Sequence, residues 1–136
     1  MNLTMETVLR LLLAAALGAG IGYQRERANK PAGLRTHILI AVGSALFTVV
    51  SIFGFGDGGV DVSRVAAGIV TGIGFIGAGV IFRGARDDRH IVGLTTAASI
   101  WVTASIGLAA GVGMYLIATI VAVVTVVVLM LPRVKG

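Results

Sequence analysis

The chain has 136 residues, of which 57% are hydrophobic and 12% charged, with a mean hydropathy of +1.00 and a net charge of +5. A soluble domain carries about a quarter charged residues, so a water-soluble globular enzyme is all but excluded, and so is a disordered chain. With no cysteine, disulfide scaffolds and Cys-ligated zinc sites fall too.

The apolar residues form runs of the length that crosses a hydrocarbon core of about 30 Å, which takes about 20 residues of helix. The runs are 5–22, 34–54, 63–82, 94–110 and 114–131. They predict an all-α polytopic membrane protein of five helices, with residues 1–136 as a single transmembrane domain. Ala14-Ala15-Ala16 resembles a signal-peptide cleavage site. No basic residue precedes Arg10, however, and Arg25, Arg27, Lys30 and Arg35 follow the first run. That pattern reads as a mature transmembrane helix. The last two runs are separated by Gly111-Val112-Gly113. A single helix there would hold about 38 residues at about 1.5 Å each, too long for one bilayer, so a break is preferred over one bent helix.

Charge placement predicts orientation. All of the eleven basic residues except Arg10 and Arg64 fall in the loop after the first span, the loop after the third or the C-terminal tail. The positive-inside rule puts these segments in the cytosol and the N-terminus outside. The same placement accounts for the basic balance through the lipid bilayer, without nucleic acid.

Two further patterns concern packing. Leu17-Gly18-Ala19-Gly20-Ile21 and Ile76-Gly77-Ala78-Gly79-Val80 are 59 residues apart. Gly33-Leu34-Arg35-Thr36 and Gly93-Leu94-Thr95-Thr96 are 60 apart. The match predicts a parallel repeat of two helical hairpins plus one extra helix, about an axis along the membrane normal; chance matching in a Gly/Ala-rich chain is the other reading. Glycines four apart, such as Gly18 and Gly22 or Gly68 and Gly72, let helix backbones approach closely. The third span, with Gly68, Gly72, Gly74, Gly77 and Gly79, is therefore expected at the centre of the bundle, by tight packing or as a broken helix lining a path. Trp101, about two turns into its span, is expected to pack on glycine faces.

The residues then resemble a family. Glu26-Arg27, Lys30 and Ala32-Gly33-Leu34-Arg35-Thr36-His37 look like the first signature of the MgtC/SapB family. Arg64-Val65-Ala66-Ala67 with Gly72-Ile73-Gly74-Phe75-Ile76-Gly77-Ala78-Gly79 resembles its second. Gly93-Leu94-Thr95-Thr96-Ala97-Ala98-Ser99-Ile100-Trp101 resembles its third. The resemblance covers about Ala19 to Leu131 and departs at Gly68, Thr71 and Thr95, where Gln, Ser and Asn occur in members. It implies a small bacterial inner-membrane protein tied to growth under magnesium limitation and, in pathogens, to virulence. Many members carry a soluble C-terminal domain; this chain is read as the transmembrane domain only.

The residues themselves limit the chemistry. Magnesium takes oxygen ligands, usually with carboxylates. Glu26, Asp57, Asp61, Asp87 and Asp88 lie outside the runs and Glu6 stands at the edge of the first, so no metal site and no cofactor are expected. Asp61 and Ser63 read as helix caps, while Asp57 with Asp61 is the other reading, an external hydrated-cation site. His37 and His90 lie on separate segments and no nucleophile–base set is visible, so no enzyme is expected. Arg35 stands in the first turn of a helix, where a cation costs about 0.3–1 kcal/mol. It reads either as an interfacial anchor or as part of a cytosolic anion or partner site. That site comprises Glu26, Arg35, Thr36, His37, Thr95 and Thr96, with Glu26 expected beside Arg35. Two functions stay open: a stress-adaptation factor that binds another membrane protein, and a small ion or solute carrier. A homo-oligomer is expected in either case.

Overall fold

Each apolar run folds as a helix because its backbone polar groups have no other partners in a membrane. The computed structural model describes residues 2–56, 58–59, 61–84 and 93–132. It contains α1 (Leu3–Arg27), α2 (Leu34–Phe53), α3 (Ser63–Gly84), α4 (Leu94–Val112) and α5 (Tyr115–Leu129), with no strand among the described residues. The expected loop charges Arg86 and Arg89, the histidine His90, the acidic residues Asp57, Asp87 and Asp88, and the tail charges Arg133 and Lys135 lie outside the described residues.

Local chemistry sets the helix ends. The Asn2 side chain accepts from the Met5 N–H at 2.8 Å and starts α1, a side-chain N-cap. At the other end Asn29 takes the left-handed conformation (φ 56°), and the Lys30 N–H returns to the Arg25 carbonyl at 3.0 Å. Pro31 then prevents continuation. Before α3, Asp61 accepts from both the N–H (3.0 Å) and the hydroxyl (2.6 Å) of Ser63, so Asp61 takes the expected capping part and the Ser63 hydroxyl donates to it. The break before α5 is Gly113, at φ 98°, with the Met114 N–H on the Ala109 carbonyl at 2.9 Å. This left-handed C-terminal turn favours glycine and replaces the single bent helix by two.

Four helices, α1 to α4, are long and apolar enough to cross a membrane. The fifth expected span is the 15-residue α5, about 22 Å long against a hydrocarbon core of about 30 Å. Apolar Met114, Met130 and Leu131 extend it at both ends.

The centre of the bundle is α4, in contact with each of the other four helices. Its Ala97, Ile100, Thr103, Ala104, Gly107, Ala110 and Gly111 are all buried. Here the structure corrects the expectation of a central third span. Helix α3 packs on α4 and only lightly on α2. Of its five glycines between 68 and 79, Gly77 alone approaches a neighbour, 3.6 Å from where its Cβ would stand to the Ala97 Cβ; Gly68, Gly72, Gly74 and Gly79 face open space. At about 100° per residue Gly68, Gly72 and Gly79 share one stripe, but that stripe meets no neighbouring backbone, and Gly77 lies on the other side of the helix, toward Ala97. Gly68 and Gly72 instead line an apolar groove of about 700 Å³ between α2 and α3, floored by Ala104. Trp101 is corrected as well: it is 55% exposed. Helical periodicity places it with Ala98, Ser105 and Val112 on the outward stripe of α4.

The close contacts fall on other glycines. A Cβ on Gly18 would stand 2.7 Å from the His37 carbonyl oxygen, and one on Gly22 the same distance from the Leu34 Cα, joining α1 to α2. A Cβ on Gly111 would meet the Ala45 carbonyl oxygen at 2.8 Å, and one on Gly107 would meet the Ala41 carbonyl and the Ser44 Cβ, joining α4 to α2. Small residues at these points allow the backbone approach that drives association in lipid.

The repeat is visible in these contacts. Gly18 lies on His37 and Ala41; its counterpart Gly77 lies on Ala97, the counterpart of His37. Within α2 and α4, residues near the start pair with each other (His37 and Ser99), as do residues near the end (Thr48 and Gly111). The two helices therefore run parallel, and α5 is the unpaired element, lying on α1 and α4.

Candidate functional site

At the end of the bundle holding the α1–α2 turn, four polar side chains meet in the interior. Arg25 comes from the last turn of α1, His37 from the first turn of α2, and Thr96 and Ser99 from the start of α4. All four are buried, Arg25 to 3% exposure and His37 completely. Arg25 Nη2 donates to the Thr96 hydroxyl. His37 Nδ1 lies 2.9 Å from the Gly33 carbonyl oxygen and Nε2 lies 3.0 Å from Ser99 Oγ. With a neutral ring, Nδ1–H donates to Gly33 and Nε2 accepts the Ser99 hydroxyl proton. The Ser99 hydroxyl has a second acceptor in the Thr96 carbonyl, at 2.7 Å.

Deeper along the α2–α4 interface, Ser44 Oγ donates to the Ala104 carbonyl at 2.6 Å. Thr48 and Thr103 donate back to the carbonyls of Ser44 (2.8 Å) and Ser99 (2.7 Å) within their own helices. Such back-bonding satisfies a hydroxyl without any outside partner.

Of the expected site residues, the structure brings His37 and Thr96 into this cluster. Thr36 is half-buried, and Glu26, Arg35 and Thr95 are exposed. Glu26 and Arg35 do not form an ion pair; among the described residues the ion pair is Arg10 with Glu6, at 2.8 Å. Glu26 instead lies over Gly33, its Oε1 2.8 Å from where a Gly33 Cβ would stand. Sequence reasoning missed Arg25 and Ser99 as site residues. The signal for Arg25 was present: Ala14, Gly18, Ile21 and Arg25 recur at helical spacing, and the contact stripe of α1 runs through all of them.

The opposite end holds a second cluster. Arg10, 8% exposed, donates to Glu6 at 2.8 Å, to the Gly111 carbonyl at 2.9 Å and to the Tyr115 hydroxyl at 3.3 Å. Its guanidinium also lies 5.5 Å from the Phe53 ring centroid. These contacts tie α1 to the C-terminal end of α4, where a cation is favoured, and to α2 and α5. Neither cluster holds a metal-binding set: among the described residues no group of three His, Asp or Glu lies together.

Four long apolar helices, with charges only at their ends or in polar clusters, define a polytopic α-helical membrane protein. The chain belongs to the MgtC family, whose model matches residues 11–135. It is 51% identical to the "Putative magnesium transporter YhiD" of Escherichia coli K12, over 93% of this chain and 60% of that protein. It is 44% identical to Protein SrpB of Synechococcus elongatus, over 78% of this chain and 63% of SrpB. It is likewise 44% identical to Protein MgtC of Salmonella typhimurium, over 79% of this chain and 44% of MgtC. The chain thus spans about half to three-fifths of the length of these curated relatives. No solved structure matches it.

Proposed function

We propose that this protein is an inner-membrane factor that supports growth under magnesium limitation or related stress by binding another membrane protein. The observation that carries this reading is the character of the buried polar cluster. It consists of a guanidinium, an imidazole and two hydroxyls, and no carboxylate among the described residues enters it. A magnesium path needs about six oxygen ligands in octahedral geometry, usually with carboxylates, and a neighbouring guanidinium repels the ion. The charge distribution supports a cytosolic position for the Arg25 end and for the C-terminus, with α5 as the fifth crossing.

A carrier of ions or other solutes is the second reading. The buried hydroxyls of Ser44, Thr48, Ser99 and Thr103 favour it, because they run along the α2–α4 interface. Ser44, Thr48 and Thr103 each donate to a backbone carbonyl, and Ser99 has His37 Nε2 and the Thr96 carbonyl within reach of its one proton, which supports a sealed interface rather than a path. Purified protein in liposomes, assayed for magnesium and proton flux, separates the two readings. A binding factor gives flux equal to protein-free liposomes; a carrier exceeds it.

A further inference from the structure

From the surroundings of Arg25 we infer that the end of the bundle where α2 and α4 begin is a binding site for a phosphate-class oxyanion. This inference stands apart from whether the protein binds a partner. Both helices start there without a side-chain cap, at Gly33 and Gly93. The first hydrogen bonds into these helices come from the His37 and Ala97 N–H groups, so the N–H groups of residues 34–36 and 94–96 lack acceptors among the described residues. Each helix presents the positive end of its dipole. Arg25 is set between them: Gly22, just before it on α1, lies on Leu34, while its own Nη2 reaches Thr96.

A buried cation against two positive helix ends is electrostatically adverse unless an anion completes the group. Arg25 Nε is buried and has no hydrogen-bond partner. Glu26 faces Gly33 and does not pair with Arg25, and His37 adds no negative charge. The donors on hand are a forked guanidinium, a hydroxyl and backbone N–H groups at two helix ends. That set suits a tetrahedral oxyanion with several acceptor oxygens. Exposed Lys30 and Arg35 flank the start of α2 and attract anions to this end, whereas Arg27 is held on Tyr23. A lipid phosphate and free phosphate offer the same chemistry.

The test uses the full chain in detergent. In one arm, inorganic phosphate is titrated against chloride at equal ionic strength and followed by thermal unfolding and phosphorus NMR line width. In the other, native mass spectrometry compares retention of phosphatidic acid with that of diacylglycerol, which has the same chains and no phosphate. Binding of phosphate identifies a free anion; retention of phosphatidic acid alone identifies a lipid headgroup; either supports the site. Arg25→Gln should weaken binding about tenfold or more, the worth of one charge-assisted pair. Arg25→Lys should retain the fold and weaken it less, whereas Arg27→Gln should leave it near wild type. Glu26→Gln should leave binding unchanged or tighter. The inference is overturned if neither probe binds, or if Arg25→Gln binds as wild type does. It is also overturned if Arg27→Gln weakens binding as much as Arg25→Gln, or if binding appears only when Asp87 and Asp88 are both changed to Asn.

Discussion

Ser44 and Ala104 lie 60 residues apart, occupy equivalent positions in the two halves of the chain, and are joined by a hydrogen bond of 2.6 Å from the Ser44 hydroxyl to the Ala104 carbonyl. Equivalent residues meet only on a symmetry axis, so the pseudo-two-fold relating the hairpins passes between α2 and α4. The halves then diverge. Position 41 is a buried Ala beneath Gly107, whereas its counterpart is Trp101 on the outer surface. Within the first hairpin α1 meets α2 closely at Gly18 and Gly22, whereas within the second Gly77 stands 3.6 Å from Ala97.

This asymmetry predicts which glycines matter. Gly107→Ala and Gly111→Ala place a methyl against fixed α2 backbone, and overpacking of this kind costs about 1–3 kcal/mol. Gly74→Ala and Gly79→Ala point into open space and should be neutral or slightly stabilising, since Ala is the better helix former. Thermal unfolding in detergent should separate the two pairs. Equal midpoints would show that the α2–α4 contact is looser than described.

The helices themselves were legible from the sequence because apolar run length and the breakers Pro31 and Gly113 act locally. Which helix sits at the centre was not. Glycine density marked α3, but contact depends on what a stripe of small residues faces: Gly107 and Gly111 of α4 face α2 backbone, whereas Gly68, Gly72 and Gly79 of α3 share a stripe that faces open space. The end of the bundle that holds the buried polar cluster was legible, while its members Arg25 and Ser99 were not. Arg25 and Glu26 differ by about 100° around the helix, and that step separates a buried guanidinium from an exposed carboxylate. Reading Arg35 as the misplaced cation pointed to this end of the bundle, where the buried arginine is Arg25 and Arg35 is exposed.

Arg10 should be a main determinant of stability. It donates to groups on three helical segments, and hydrogen bonds to charged groups contribute about 1.5–3 kcal/mol each. Arg10→Ala should therefore destabilise by about 2 kcal/mol or more. Tyr115→Phe, which removes the longest of these bonds, should cost about 1 kcal/mol or less. Unfolding in a graded denaturing detergent checks the order; a milder Arg10→Ala than Tyr115→Phe would contradict it.

The start of α3 should respond to pH. Hydrogen bonds from the Ser63 hydroxyl and N–H hold the Asp61 carboxyl below its usual range. A depressed folded value means that the capping stabilisation is complete above the unfolded carboxylate value and fades as the pH falls through the folded one. Amide exchange in the first turn of α3 should therefore gain protection, relative to its intrinsic rate, as the pH rises through the acid range and then level off. Asp61→Asn should remove that dependence; an unchanged profile would mean that the carboxylate does not control the turn.

The strongest test of the site compares three neighbouring charges in a growth assay at low magnesium. Glu26 and Arg35 are exposed and unpaired with each other, and isolated exposed charges contribute about 0–1 kcal/mol. Glu26→Gln should be tolerated, and so should Arg35→Gln if Arg35 serves only as an anchor. Arg25→Gln should reduce growth support sharply, because it removes the buried guanidinium that links α1 to α4. Thr96→Val should act in the same direction, since it leaves Nη2 without its acceptor at a cost of about 1–3 kcal/mol. Protein level in the membrane must be measured alongside growth. If Arg25→Gln is present at wild-type level and fails to support growth, the cluster acts in function. If its loss of growth tracks a loss of protein, the cluster is a packing element, and the rim residues Arg35 and Thr95 become the place to seek the partner contact.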